Sequence, residues 1–215
     1  MPYFDLQGML LTLPALLVGL TLHEFAHGYA AYRLGDPTAK NLGRLSFNPI
    51  KHLDPLGALF LLIFHFGWAK PVPVNPLYFR GDRQKGMMWV SLAGPVTNLV
   101  IAFVTALIWK IIEPSEYIIV GILFYLFTIN IILAVFNLIP VPPLDGSKIL
   151  AGILPSKYMH VIFNLEKYGY IILILLMFTG VTGMILTPLA KLVGLGITGL
   201  LQVESLKQII MMSFR

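Results

Sequence analysis

Residues 6–34 read LQGMLLTLPALLVGLTLHEFAHGYAAYRL, an apolar run that carries no ionisable group before His23. It is longer than the roughly 20 residues a helix needs to cross a bilayer, so a membrane-spanning helix is expected here. Near its end stand His23-Glu24-Phe25-Ala26-His27. Histidines four apart share one helix face, and both imidazoles can therefore reach a single metal ion. Glu24, beside the first of them, is placed to act on a water at that metal. Hydrocarbon disfavours ionisable side chains, so three within about one turn there call for a reason beyond packing. The plainer reading has two helix-end histidines bonded to carbonyls, with Glu24 reaching to the surface.

Composition identifies the solvent. Of 215 residues, 57% are hydrophobic and 12% charged. A soluble domain carries about 25% charged residues, so the chain reads as an all-α polytopic integral membrane protein in contact with a lipid bilayer. The net charge of +5 comes from basic residues clustered between the apolar runs. That pattern marks a cytoplasmic membrane face, and no nucleic-acid partner is expected. Cysteine is absent, which excludes disulfides and thiolate ligands and leaves His and carboxylate to hold any metal. Met1–Leu6 contains Asp5 and no basic residue, so no cleavable leader is expected.

Three further uncharged runs have spanning length: Met87–Trp109, Tyr117–Ile139 and Tyr168–Ala190. Leu53–Trp68 is apolar but shorter, and reads as a short span or a re-entrant segment. The stretch from Leu192 holds Gln202, Glu204, Lys207 and Gln208, and suggests an interfacial or tail helix. About 4–6 transmembrane helices with proline-rich loops are expected. The whole chain, 1–215, reads as one membrane domain with a core over 6–155 and C-terminal helices over 156–215. Basic residues flank these runs at 33–51, 70–85 and 148–167, whereas Lys110–Glu116 holds one lysine and two glutamates. The positive-inside rule then puts that link outside and the three basic regions inside, with 53–68 dipping in and returning.

This orientation has a chemical consequence. The first helix and the 117–139 helix both run outside to inside, and just after the second comes Asn137-Leu-Ile-Pro-Val-Pro-Pro-Leu-Asp145-Gly146. Asp145 thus returns to a depth similar to that of the histidines, as a candidate third ligand. A catalytic zinc site keeps three protein ligands and one open position. The alternative makes Asp145 an N-cap for a helix over Gly146–Leu154.

With these residues in view, the chain resembles the site-2 intramembrane metalloproteases. The resemblance rests on His23-Glu24-Phe25-Ala26-His27, Asn48-Pro49-Ile50-Lys51-His52-Leu53-Asp54-Pro55-Leu56-Gly57, Ala93-Gly94-Pro95-Val96-Thr97-Asn98 and Asn137 through Gly146, in that order. Gly67 through Pro76 adds to it, so that the match spans most of Thr21–Pro155. It resembles a short form, with no room for PDZ or CBS modules. The resemblance implies one zinc ion per chain held by His23, His27 and Asp145, with Glu24 as the catalytic carboxylate. It implies hydrolysis of peptide bonds in or near transmembrane segments of membrane proteins, in regulated proteolysis or clearance of membrane stubs. The setting it implies is the cell membrane of a prokaryote, with the active site toward the cytoplasm. Asn98 and Asn137 fall near the active site on this resemblance, as groups that hold substrate or support the transition state, or as interhelical hydrogen-bond partners. Asn130 reads as structural.

Other signals are weaker. His52 is expected to order its loop with Asp54, His65 to be structural and His160 to be solvated. Gly194-Leu-Gly196-Ile-Thr-Gly199 matches a dinucleotide fingerprint but lacks the strand–helix–strand unit it requires. Pro71–Pro76 reads as extended backbone that pairs with substrate, or as an ordered connector. A membrane zinc-binding protein without protease activity, a transporter or scaffold, would use the same ligands. Transport needs no general base, however, and Glu24 is present. Oligomeric state is not legible in the sequence.

Overall fold

The computed structural model describes residues 6–64 and 67–214. Among them nine α-helices follow in order: α1 Leu6–Arg33, α2 Thr38–Asn41, α3 Pro55–Phe64, α4 Arg83–Ile112, α5 Tyr117–Asn137, α6 Asp145–Ile153, α7 Met159–Phe178, α8 Val181–Leu201 and α9 Glu204–Ser213. Four of them, α1, α4, α5 and α8, are long and apolar enough to cross a membrane. The chain is a polytopic helical membrane protein, as its composition requires.

Small residues set the packing. Gly121 of α5 lies against Leu11 and Gly19 of α1 against Asn130 and Leu133, so α1 and α5 run parallel. His23 meets Asn98 and His27 meets Val90, so α4 runs antiparallel to α1. Farther along, Ala102, Ala106 and Trp109 of α4 join Phe127 and Ile131 of α5 in a buried core. Asp82 caps α4, accepting from the N–H groups of Gln84 and Lys85.

The 53–68 region returns to where it began. A bridge pairs Leu53 with Ala69, and Lys70 N–H donates to the His52 carbonyl at 2.8 Å. Gly57 and the Gly67–Trp68 backbone approach so closely that a Cβ at either glycine would collide with the other strand of the turn. Helix α3 has 10 residues, about 15 Å of rise, half the hydrocarbon thickness. The two ends of the 53–68 segment lie side by side, as a re-entrant segment requires. His65 lies outside the described residues.

One expectation near the C-terminus is corrected. Tyr168–Ala190 is not one helix: α7 stops at Phe178, Gly180 takes a φ of 74°, and α8 begins at Val181. Glycine enters the left-handed region at little cost, and an uncharged Thr179-Gly180 step leaves no mark in hydropathy. The fourth span is therefore Val181–Leu201, with Lys191 midway along it. The stretch from Leu192 divides in two. Its first ten residues complete α8, and α9 buries Leu206 and Ile210 fully in the core. Trp109 Nε1–H donates to Ser205 Oγ at 3.1 Å, pinning the start of α9 to the end of α4.

Candidate metal centre

Helix α1 presents His23 and His27 on one face, toward a stripe of α4 with the same four-residue spacing: Val90, Gly94 and Asn98. Each member of the stripe serves the imidazoles. His27 Nδ1–H donates to the Val90 carbonyl at 2.7 Å, and His23 Nδ1–H donates to Asn98 Oδ1 at 2.6 Å. Gly94 between them is a gap, because a Cβ there would stand 2.6 Å from both rings.

The tautomers follow from this network. Asn98 Nδ2 donates to the Gly19 carbonyl at 3.1 Å and to Asn130 Oδ1 at 2.8 Å. A carbonyl only accepts, so the Asn98 amide is fixed with its oxygen toward His23, and His23 Nδ1 must carry the proton. The Val90 carbonyl fixes His27 in the same way. Both neutral rings therefore aim the lone pair of Nε2 at a common point. Asn98 and Asn130, both fully buried, orient the first histidine rather than facing the cavity.

Asp145 arrives at the same point from α6. It is the first residue of that helix, and the cap position is Leu144, with no side-chain cap bond. The capping alternative is therefore set aside. Asp145 Oδ2 lies 3.1 Å from each Nε2, and the two Nε2 atoms lie 2.9 Å apart. Gly146 permits the turn: a Cβ there would run into the Leu138 and Ile139 carbonyls.

Three atoms bearing lone pairs repel at such separations unless they share a cation. Two imidazoles and a carboxylate suit zinc, whose tetrahedral ligands stand roughly 3.3 Å apart. The observed triangle is a few tenths of an ångström tighter, so the donor set fits the ion.

Beside this triangle opens a cavity of about 240 Å³, lined by Glu24, Val72, Ser91, Asn137, Pro143 and Lys148 among others. Glu24 Oε2 accepts the Val72 N–H at 2.8 Å, which ties the carboxylate to the Pro71–Pro76 segment. That segment is anchored by fully buried Asp36, which accepts from Asn75 N–H at 2.7 Å and Thr38 N–H at 2.9 Å. Asn137 lines the cavity while its Nδ2 donates to the Leu133 carbonyl at 2.9 Å.

Among the other histidines, His52 is buried, and its Nε2–H donates to the Ser46 carbonyl at 2.7 Å. It orders its loop, but not through Asp54, whose carboxylate accepts from Gly57 N–H. The His160 side chain lies outside the described residues. Sequence reasoning missed Val72, Asp36 and the Val90 carbonyl. The 90/94/98 spacing was a readable signal for the last, whereas a backbone N–H contributed by a loop leaves none.

Comparison with known proteins supplies the family. The model of peptidase family M50 matches residues 108–180. The chain is 39% identical, over 87% of its length and 89% of the relative's, to a Bacillus subtilis protein named "Putative zinc metalloprotease YwhC". It is 29% identical, over 79% of its length and 67% of the relative's, to a Mycolicibacterium smegmatis protein of the same description, Rip2. A third relative of that description, from Methanocaldococcus jannaschii, is 29% identical over 80% of this chain and 83% of its own. No solved structure matches.

Proposed function

The chain belongs to peptidase family M50, the site-2 protease family, and is a zinc metalloprotease of the membrane; from that premise we propose that it is an intramembrane endopeptidase with His23, His27 and Asp145 as its ligands, one zinc per chain, and Glu24 as its proton carrier. The observation that carries this reading is the convergence of His23 Nε2, His27 Nε2 and Asp145 Oδ2 beside a cavity that Glu24 also lines.

When bound, zinc supplies Lewis acidity, polarising a carbonyl and bringing the pKa of water toward about 7. Asn98 and the Val90 carbonyl keep both Nε2 atoms available as ligands. Glu24 has one oxygen held by Val72 N–H, which leaves Oε1 to take a proton from the attacking water. As the new C–O bond forms and the C–N bond breaks, Glu24 passes that proton to the departing amine nitrogen. Asn137, at the cavity wall, supports the substrate backbone.

Helical carbonyls are already hydrogen-bonded, so a transmembrane substrate must open locally before attack, and Gly, Pro or Asn near the cut assist this. The clustering of basic residues at 33–51, 70–85 and 148–167 supports a centre toward the cytoplasmic side of a prokaryotic cell membrane. Regulated proteolysis or removal of membrane stubs would both use such a site.

The test separates ligands from base. Glu24→Gln in purified, detergent-solubilised protein should keep zinc within about twofold of native content and lose cleavage of a reporter carrying a Gly-Pro-containing transmembrane segment, because a base is lost and no ligand. His23→Ala, His27→Ala or Asp145→Ala should each lose zinc as well. Loss of zinc in Glu24→Gln with cleavage merely reduced would overturn these roles.

A further inference from the structure

Lys148 follows Asp145 by three residues on α6, and such positions share a helix face. It lines the same cavity as Glu24 and the ligand triangle and is half-buried. Among the described residues, its ammonium has neither an ion pair nor a hydrogen bond. Each nearby acid has one oxygen engaged elsewhere: Asp145 Oδ2 sits between the imidazoles, and Glu24 Oε2 accepts from Val72. By contrast, Arg44 and Lys51 donate to the carbonyls of Lys70 and Gly43. In formal charge, a bound zinc ion would balance Asp145 and Glu24, which would leave Lys148 as the uncompensated charge among the described residues that line the cavity. A partly desolvated cation without a counter-charge is costly, and an entering anion offsets that cost.

We propose that Lys148 reads substrate charge: it pairs with a carboxylate close to the scissile bond, so that the enzyme favours Asp or Glu there. The proposal rests on the cavity being the hydrolytic site. Side chains three apart on a helix are about 5–6 Å apart at Cβ, and extended chain advances about 3.3 Å per residue. The acidic residue therefore falls within about two residues of the cut, on either side.

Two arms test this with a randomised ten-residue peptide library as the probe. In the first, zinc-loaded full-length Glu24→Gln protein selects binders without cutting them. Acidic peptides should be enriched about tenfold over their amide counterparts, as expected for a hydrogen bond to a charged group. Adding Lys148→Met should bring that ratio to about one, Lys148→Arg should restore it, and Lys148→Glu should turn the preference to basic peptides. In the second arm, native protein cuts the library and mass spectrometry locates the cuts. Acidic residues should lie within two positions of them, and Lys148→Met should lower the acidic-to-amide ratio of kcat/KM through KM rather than kcat. An acidic preference that is absent, or that survives Lys148→Met, overturns the proposal. Charge-selective binding without any cleavage by native protein would leave Lys148 as assigned and overturn the hydrolytic reading instead.

Discussion

Gly94→Ala adds one methyl group where α4 crosses the two imidazoles of α1. Its Cβ would stand 2.6 Å from His23 Cε1, His23 Nε2 and His27 Cε1, whereas ordinary contact begins at 3.4 Å. The rings would have to retreat by about 0.8 Å, well beyond the roughly 0.2 Å tolerance of a metal–ligand distance. They cannot retreat freely, because Val90 and Asn98 on the same helix hold both Nδ1 atoms. Losing such an orienting bond alone costs 10- to 100-fold in metal affinity as an order of magnitude. Moving two ligands should therefore cost about 100-fold or more, about 2.7 kcal/mol at least. The assay is zinc competition against chelators of known affinity on purified protein, with elemental mass spectrometry as the readout. Gly199→Ala is the control, since nothing lies within 4 Å of a Cβ there, and its zinc affinity should match native. A Gly94→Ala protein that elutes and unfolds like native and binds zinc within threefold of native would refute the idea that α4 backs the imidazoles.

Asn98→Ala removes the acceptor for His23 Nδ1–H and should lower zinc affinity about 10- to 100-fold; native affinity with lost cleavage would instead mean that the amide acts on substrate. Because the chain has no cysteine, single cysteines can report topology in intact cells. Replacements of Lys40, Arg83 and Ser156 should label only with reagents that enter the cytoplasm, and one at Ser115 from outside. Labelling of positions 40 and 83 from opposite faces would make 53–68 a true span and undo the depth match between Asp145 and the histidines.

Some of this was legible because it depends on local period and composition. Uncharged runs of spanning length favour helix in lipid, where backbone groups must be satisfied internally, although the Tyr168–Ala190 run breaks at Gly180. Two histidines at a spacing of four share a face by helix geometry alone. Asp145 could be matched to them in depth because spans of known length and sign-biased loops carry the chain back to one side. The chain's membrane class, the candidate ligands and the candidate base all follow from such reasoning. Packing is another matter. That Asp145 points at the imidazoles instead of capping α6 depends on how α6 leaves the Pro142–Pro143 loop. Asn98 could have faced substrate as well as His23, and only the Gly19 carbonyl and Asn130, from two other helices, orient its amide. The hold of Val72 on Glu24 is a backbone bond across 48 residues, for which no side chain is a signal. Helix α9 is amphipathic, with Glu204 and Gln208 exposed, and the partner of its apolar face is a core built by α4, α5 and α8, against which Leu206 and Ile210 pack. In each case the local pattern permits several partners, and the choice among them is made by contacts between segments far apart in the chain.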